Sequence, residues 1–206
     1  MADTTPRPEL TKDPLPNEVT FGLGWDAPKS DKTTDDTPKL DLDLWAIINQ
    51  DGKPHEDVCF YGTEKDGKYF SKCQSIQLTN DNRTGDGDGD DEQLLIQLNK
   101  LPAATTSVDI LVVVHDEKDK AHNLSQAEGA VCRLIEGING SGGKAIDKFE
   151  LPFEGVNNKS VKVMTLRREK GGWYHRRDAT TMKKSTEELL AEYKFDKSQY
   201  KLQKSG

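Results

Sequence analysis

The chain has 206 residues, enough for one substantial domain. Hydrophobic residues make up 33% of the chain and charged residues 32%, so we predict a modest core beneath a highly polar surface. The formal net charge of −7 argues against a general affinity for nucleic acid or for an anionic membrane surface. Cations and basic surfaces are the partners that this charge favours.

The cysteines and the N-terminus indicate a reducing compartment. Cys59, Cys73 and Cys132 are odd in number and far apart, so neither a zinc ribbon nor a disulfide framework is indicated. Residues 1–14 lack the apolar segment of a signal peptide. No apolar run approaches the roughly 20 residues of a membrane-spanning helix. We therefore expect a cytoplasmic protein with no direct membrane insertion.

In chain order, the sequence predicts an arm, one domain and a tail. Residues 1–17 are rich in Pro, Thr and charge and predict a flexible N-terminal arm. Residues 18–195 form the predicted domain, and residues 196–206 a polar C-terminal tail. Within the domain, short β-prone runs are separated by turn residues: EVTFGLGWD, KLDLDLWAIINQ, EDVCFYG, KYFSKCQSIQL, EQLLIQL, SVDILVVVHD, AVCRLIEGI, KFELPF, SVKVMTLRRE and GGWYHRRD.

These runs predict an all-β fold with one helix. SVDILVVV is the best candidate for a central strand, because it is apolar and β-branched. Only STEELLAEYKF has a helical pattern, with Ser185 as N-cap and Glu188 completing a capping box. Short strands at regular spacing are typical of an antiparallel β-sandwich. We predict such a sandwich, with a short C-terminal helix.

The acidic loop predicted between two of these strands is the main functional candidate. Residues 79–92, TNDNRTGDGDGDDE, contain six carboxylates, most of them separated by glycine. Charge runs are usually solvated, which is one interpretation. The other is a cation site, since close carboxylate pairs repel by about 4 kcal/mol each at an effective dielectric near 20. Calcium accepts 6–8 oxygen ligands in forgiving geometry and suits a dense protein cage better than magnesium does.

The loop matches the EF-hand template only in part. Asp86, Asp88 and Asp90 occupy the first three ligand positions of that template. Asp91 and Gln97, however, stand where the template needs glycine and glutamate, and a strand follows the loop. We therefore predict a calcium loop that is not an EF-hand.

Further carboxylates lie near the ends of other predicted strands. Asp41 and Asp43 share one strand face, and Asp26 and Asp116 each end a strand. These side chains could converge on one rim of the sandwich. They could also be ordinary turn and strand-end residues, which are common.

Five motifs give the chain a resemblance to a known family. GLGWD, KLDLDLWAII, DNRTGDGDGDDEQLLIQL, VVVHD and HNLSQAEGAVCRLI occur in this order within residues 9–195. In order and spacing they resemble the TerD family of tellurium-resistance and general-stress proteins. The resemblance implies a β-sandwich whose acidic loops bind two neighbouring calcium ions. The ligands that it implies by position are Asp41, Asp43, Asp81, Asn82, Asp86, Asp88, Asp90, Asp91, Glu92 and Asp116.

The sequence shows no evident nucleophile, catalytic base or nucleotide-binding motif, so we expect a non-enzymatic protein that acts indirectly, with protein partners in a stress-response complex. Direct binding of tellurite is not expected, because the anion would meet an anionic site. The sequence departs from the family pattern at its first strand and at residues 178–185, DATTMKKS, where a glycine-rich segment is usual. The alternative function is a calcium-dependent phosphoesterase or a nucleotide-binding protein. Only His115 and His122 are nearby histidines, and neither is an evident catalytic base.

Overall fold

The computed structural model describes residues 9–26, 40–51, 57–85, 89–115, 122–138, 143–151 and 158–204. In these ranges the chain forms twelve strands and one α-helix. The strands are β1 (Glu18–Asp26), β2 (Leu42–Gln50), β3 (Asp57–Cys59), β4 (Glu64–Lys65), β5 (Lys68–Phe70), β6 (Ile76–Leu78), β7 (Glu92–Gln97), β8 (Thr105–Val114), β9 (Glu128–Glu136), β10 (Ala145–Glu150), β11 (Ser160–Glu169) and β12 (Gly172–Met182). The helix α1 spans Thr186–Glu192, and short 3₁₀ turns span Tyr61–Thr63, Leu98–Lys100, Leu124–Gln126 and Lys197–Gln199.

The strands form two antiparallel sheets. One sheet has the order β10-β9-β1-β7-β6-β5-β4, and the other has the order β12-β11-β8-β2-β3. Strand β8 is central in the second sheet, where it pairs with β11 on one side and β2 on the other. The prediction that SVDILVVV is a central strand is therefore confirmed.

One hydrophobic core joins the two sheets. Phe21 and Leu23 of β1, Leu94 of β7, and Trp45 and Ile110 of the other sheet all belong to the same buried cluster. β2 and β8 are almost wholly buried, which matches their continuous apolar sequence. The predicted all-β antiparallel fold, with its short C-terminal helix, is confirmed.

Two local predictions are also confirmed. Gly171 and Gly172 have φ angles of 110° and 148° at the turn between β11 and β12, where glycine carries no steric penalty. Helix α1 begins after Ser185, whose side chain accepts a hydrogen bond from the backbone N–H of Glu188. The Glu188 side chain bonds back to Ser185, which completes the predicted capping box.

The segment KYFSKCQSIQL forms two strands rather than the single strand that its composition predicts. β5 ends at Phe70 and β6 begins at Ile76. Between them the chain reverses, because the N–H of Ser71 donates to the carbonyl oxygen of Ile76 and Gln74 takes a φ angle of 57°. Ser71 and Ser75, of a residue type that favours turns, lie inside this run, and the Ser71 hydroxyl oxygen accepts a hydrogen bond from the N–H of Ile76.

The N-terminal segment runs beside β12. The N–H of Thr11 donates to the carbonyl oxygen of His175 at 2.8 Å, and the N–H of Leu15 donates to Trp173 at 2.6 Å. The His175 ring lies between the Thr11 hydroxyl, at 3.3 Å, and the Asp147 carboxylate of β10, at 3.4 Å. Arg177 also pairs with Asp147, so these groups link the edges of the two sheets.

Candidate metal centre

Three carboxylates that are distant in sequence meet at one end of the sandwich. Asp41 precedes β2, Asp43 lies within β2, and Asp81 lies in the loop between β6 and β7. One oxygen from each lies within 4.8 Å of the others. Asp41 is 8% exposed and Asp43 is fully buried, so water screens these charges poorly. We call these residues the acidic cluster.

The five-stranded sheet positions the first two members of the acidic cluster. β2 and β8 pair in a register that places Leu42 opposite Val114. The N–H of His115, one residue beyond β8, donates to the carbonyl oxygen of Asp41 at 2.9 Å. The pairing thus continues past both strands and holds Asp41 and Asp43 at the sheet end.

A lysine from the C-terminal tail supplies the positive charge at the acidic cluster. Lys204 Nζ lies 2.8 Å from Asp41 Oδ2, 2.7 Å from Asp43 Oδ1 and 2.6 Å from Asp81 Oδ1. Its side chain is only 4% exposed. Burial acts to lower the pKa of this amine, but the three carboxylates outweigh burial and raise it. Lys204 is therefore a fully charged counter-ion inside the cluster.

The pKa values of Asp41 and Asp43 shift in opposite directions in this environment. Burial, reinforced by the charge of Asp43, raises the pKa of Asp41 from 3.8 to about 7. Burial also acts to raise the pKa of Asp43, but Lys204 and His115 outweigh it and lower that pKa. His115 Nδ1 lies 3.4 Å from Asp43 Oδ2. Burial acts to lower the pKa of His115, and the Asp43 carboxylate overcomes this and raises it.

Glu92 adds a fourth buried carboxylate beside the cluster. It is the first residue of β7 and is fully buried. Its Oε2 accepts a hydrogen bond of 2.7 Å from the N–H of Leu44, which bridges the two sheets. Its Oε1 is buried and has no hydrogen-bond partner among the described residues. Burial first, and then the charge of Asp43, raise the pKa of Glu92 well above 4.5.

Asn82 and Asp91 hold the acidic loop in place through hydrogen bonds. Asn82 Oδ1 accepts hydrogen bonds from the N–H groups of Thr84 and Gly85, an Asx-type turn. Asp91 accepts hydrogen bonds from the Trp25 N–H at 2.9 Å and from the Asn82 amide at 2.8 Å. These contacts fix the two ends of the loop against β1.

Asp90 does not join the acidic cluster in this structure. Its carboxylate binds Arg133 of β9, with distances of 2.7 Å to the guanidinium Nη2 and 2.8 Å to Nε. Asp86, Asp88 and Asp116, the other predicted ligands, lie outside the described residues. Their roles remain predictions from the sequence.

The glycines of the GLGWD motif let the acidic loop lie directly on β1. A Cβ at Gly24 would lie 2.2 Å from the carbonyl oxygen of Gly89, and one at Gly22 would lie 2.1 Å from Asp90 Oδ2. A side chain at Gly24 would displace the loop backbone, and one at Gly22 would displace the Asp90 carboxylate. The GLGWD motif and the loop residues Gly89 and Asp90 are thus complementary parts of one structure.

The acidic cluster fits a hard divalent cation. Two oxygens bound to one calcium ion at about 2.3–2.6 Å lie at most about 5 Å apart. The 4.8 Å limit within the cluster satisfies this requirement. Asp41 Oδ1 and Glu92 Oε1 are buried oxygens without hydrogen-bond partners among the described residues, so further buried acceptor capacity is unused. All these donors are carboxylate oxygens, the ligands that calcium prefers.

Two residues of this site were missed by sequence reasoning. Lys204 lies in a tail that composition describes only as polar and basic, and no local pattern distinguishes it from Lys197 or Lys201. His115 precedes Asp116 at the end of an apolar strand, and the sequence indicates no role for it beyond that of a nearby histidine. Only the pairing of β2 with β8 shows that His115 lies beside Asp43.

The fold and the cluster define a class: a two-sheet antiparallel sandwich with a buried acidic cluster at one end. Residues 6–193 match the TerD domain. The chain therefore belongs to the TerD family, as its motifs predicted. It is 32% identical over 168 residues to the tellurium resistance protein TerD of Serratia marcescens, with coverage of 79% of this chain and 80% of that protein.

Two other comparisons extend this assignment. Over 169 residues the chain is 28% identical to general stress protein 16U of Bacillus subtilis, covering 80% of this chain and 81% of that protein. A crystal structure of a homologue of the telluride resistance protein TerD from Streptomyces coelicolor A3(2) superposes with a TM-score of 0.64 at 19% identity. That superposition covers 85% of this chain and 95% of the other, and it supports the fold alone.

The relatives in these comparisons are named as resistance and stress proteins. No helix among the described residues is long and apolar enough to cross a membrane.

Proposed function

We propose that this protein is a cytoplasmic, non-enzymatic, calcium-binding stress-response protein of the tellurium-resistance type. Two adjacent calcium ions order its acidic loops, and the ordered rim presents a surface to protein partners. The observation that carries the proposal is the convergence of Asp41, Asp43 and Asp81 within 4.8 Å in a buried setting. Lys204 offers these three carboxylates one positive charge, whereas a divalent cation would offer two, together with the oxygen coordination that calcium prefers.

Glu92 and the loop residues extend the proposed site. Besides burial, the nearby charges of Asp43 and Asp81 raise the pKa of Glu92, and its buried Oε1 accepts no hydrogen bond among the described residues. The ligands proposed from the sequence, Asp86, Asp88 and Asp116, would complete the coordination of two ions. Asp91 and Asn82 support the loop through their mutual hydrogen bond. Asp90 forms an ion pair with Arg133, and this pair would have to break before Asp90 could bind calcium.

The chemistry of the described residues supports a binding role over catalysis. Burial raises the pKa of Cys59 to about 12 and that of Cys132 well above 9.0, so both thiols stay protonated. His115 Nδ1 lies 3.4 Å from Asp43 Oδ2, so this histidine is engaged by the acidic cluster. The site is anionic, so any role in tellurium resistance is indirect and does not involve direct binding of tellurite.

Calorimetric titration of chelator-treated protein with calcium and, separately, with magnesium tests this function. We expect about two calcium ions per chain and a clear preference over magnesium, because the cluster is built for a larger ion with many oxygen ligands. Absence of calcium binding, or equal affinity for both ions, would refute the proposal. Hydrolysis of generic phosphodiesters that depends on calcium would instead favour the enzymatic alternative.

A further inference from the structure

The C-terminal tail places a cation where the proposed calcium ligands meet. Lys204 Nζ lies 2.6–2.8 Å from one oxygen of each member of the acidic cluster. It also lies 4.7 Å from the ring centroid of Tyr61, a favourable cation–π distance. A tail predicted as a polar extension is therefore an integral part of the site.

Specific contacts hold the tail in this position. The N–H of Lys201 donates to the carbonyl oxygen of Gly62 at 3.0 Å, and the Tyr61 hydroxyl donates to the carbonyl oxygen of Leu202 at 3.2 Å. The ring of Tyr200 lies 5.4 Å from that of Phe60. A Cβ at Gly62 would lie 3.1 Å from the carbonyl oxygen of Lys201 and would crowd the tail. The segment 200–204 thus lies against Phe60, Tyr61 and Gly62, and we call the surface that these three residues form the groove.

An ammonium group and a calcium ion cannot share this position. Calcium binds oxygen at about 2.3–2.6 Å, so an ion held by the same three carboxylates would lie almost where Nζ now lies. Two cations so close would also repel strongly inside a buried site. Calcium can therefore enter only if Lys204 leaves.

We propose that Lys204 is a built-in competitor of calcium, and that calcium binding releases the tail from its groove. This inference rests on the proposed calcium function and adds its regulation. Without metal, Lys204 neutralises the acidic cluster and keeps the tail docked along Tyr61 and Gly62. With calcium, the ion takes over the neutralising role, and the tail and the groove become exposed together.

The competition sets the apparent calcium affinity. If the tail is docked in about nine molecules of ten, only a tenth of the protein can bind calcium, and the apparent Kd is about tenfold weaker than the intrinsic value. Lys204→Ala should therefore lower the calorimetric Kd about tenfold. Lys197→Ala is the matched control, because it removes the same charge from the same C-terminal tail. Lys197 is exposed and pairs with Glu187 rather than with the acidic cluster.

Hydrogen exchange supplies an independent measurement of the tail. In the wild-type protein, the Lys201 amide, which donates to Gly62, should be protected in chelator and should exchange faster when calcium is added. In Lys204→Ala, it should exchange fast under both conditions. Lys197→Ala should behave as the wild type in both measurements.

The outcomes separate this inference from the function on which it rests. Tighter calcium binding by Lys204→Ala together with calcium-induced loss of Lys201 protection would establish the competition. If all variants bind calcium with the same Kd, or Lys204→Ala binds it more weakly, the competitor role is wrong while the calcium function stands. Persistent Lys201 protection in calcium-saturated wild-type protein would likewise overturn tail release. Absence of calcium binding in every variant would overturn both.

Discussion

Replacement of Asp81 by Asn tests whether the acidic cluster serves a metal or the fold. In the metal-free protein Asp81 is repelled by Asp41 and Asp43, within 4.8 Å. It is attracted by Lys204 at 2.6 Å and by the exposed Arg83 at 3.4 Å. At an effective dielectric of about 20, repulsion from a fully charged neighbour is worth at least about 3.5 kcal/mol and the attraction to Lys204 about 6 kcal/mol. Asp41, with a pKa of about 7, is only partly charged at neutral pH, and the exposed Arg83 adds at most about 1 kcal/mol. The attractions therefore slightly exceed the repulsions, and we expect the free energy of unfolding in chelator to fall by about 1–2 kcal/mol.

The same substitution should remove most of the response to calcium. At a hundredfold excess of calcium over Kd, binding to the native state stabilises it by about 2.7 kcal/mol. For a chain of this size that corresponds to a rise in Tm of roughly 5–11 °C. Asp81→Asn removes one ligand charge, so this rise should largely disappear. Differential scanning calorimetry with chelator and with calcium measures both quantities on one sample.

Glu169→Gln provides the matched control for this charge change. β11 begins near the acidic cluster, where Ser160 pairs with Val113, the partner of Asp43 in β2. Glu169 is exposed at the other end of β11, far from the cluster. This variant should keep the full calcium response. If Asp81→Asn lowered stability equally in chelator and in calcium, the reasoning would be refuted, and Asp81 would be a structural acceptor only.

Three further outcomes follow from other parts of the structure. Gly24→Ala should destabilise the protein by about 1–3 kcal/mol, measured by urea unfolding, because the new Cβ would lie 2.2 Å from the Gly89 carbonyl oxygen. Unchanged stability would contradict this close approach. Burial lowers the pKa of His175 below 6.5 against the opposing effect of Asp147, so the unfolded chain binds a proton that the native state does not. The stability that His175 contributes should therefore be full above pH 6.5 and fall as the pH drops toward the lowered native pKa. In thermal unfolding with chelator, the difference in stability between the wild-type protein and His175→Gln should shrink as the pH falls below 6.5. Finally, amides of residues 80–85 should exchange more slowly with calcium than in chelator, and equal protection would argue against metal ordering of the loop.

The fold was largely predictable because it depends on local pattern. Alternating and continuous apolar runs define the strands, and Ser185 with Glu188 marks the start of the helix. The failure at residues 68–78 has a physical cause. Its apolar residues fit one strand, but the bond between Ser71 and Ile76 makes a reversal more favourable than extension. Composition alone does not decide between these two backbone paths.

The candidate site was predictable in its residue types and less so in its geometry. The motifs indicated Asp41, Asp43 and Asp81 before any contact was known, and the structure brings them together. Nothing local in the sequence shows that Arg133 takes Asp90 as its partner, since the two residues are 43 positions apart. Long-range ion pairs depend on strand register and sheet order, which a single sequence does not reveal.

The contribution of Lys204 explains how the fold can keep so many buried carboxylates without a metal. Desolvated carboxylates with no counter-ion would destabilise the native state by several kcal/mol each. An ammonium group brought in by the protein's own tail offsets this cost, whereas the two sheets are held by a hydrophobic core that does not include the tail lysine. In the exchange that we propose, calcium would replace the Lys204 ammonium as the neutralising charge, and Tyr200 and Leu202 would lose their packing against the core. The difference between the two states would therefore fall on residues 200–204 and on the acidic loop, and these segments would report the calcium-bound state to a partner.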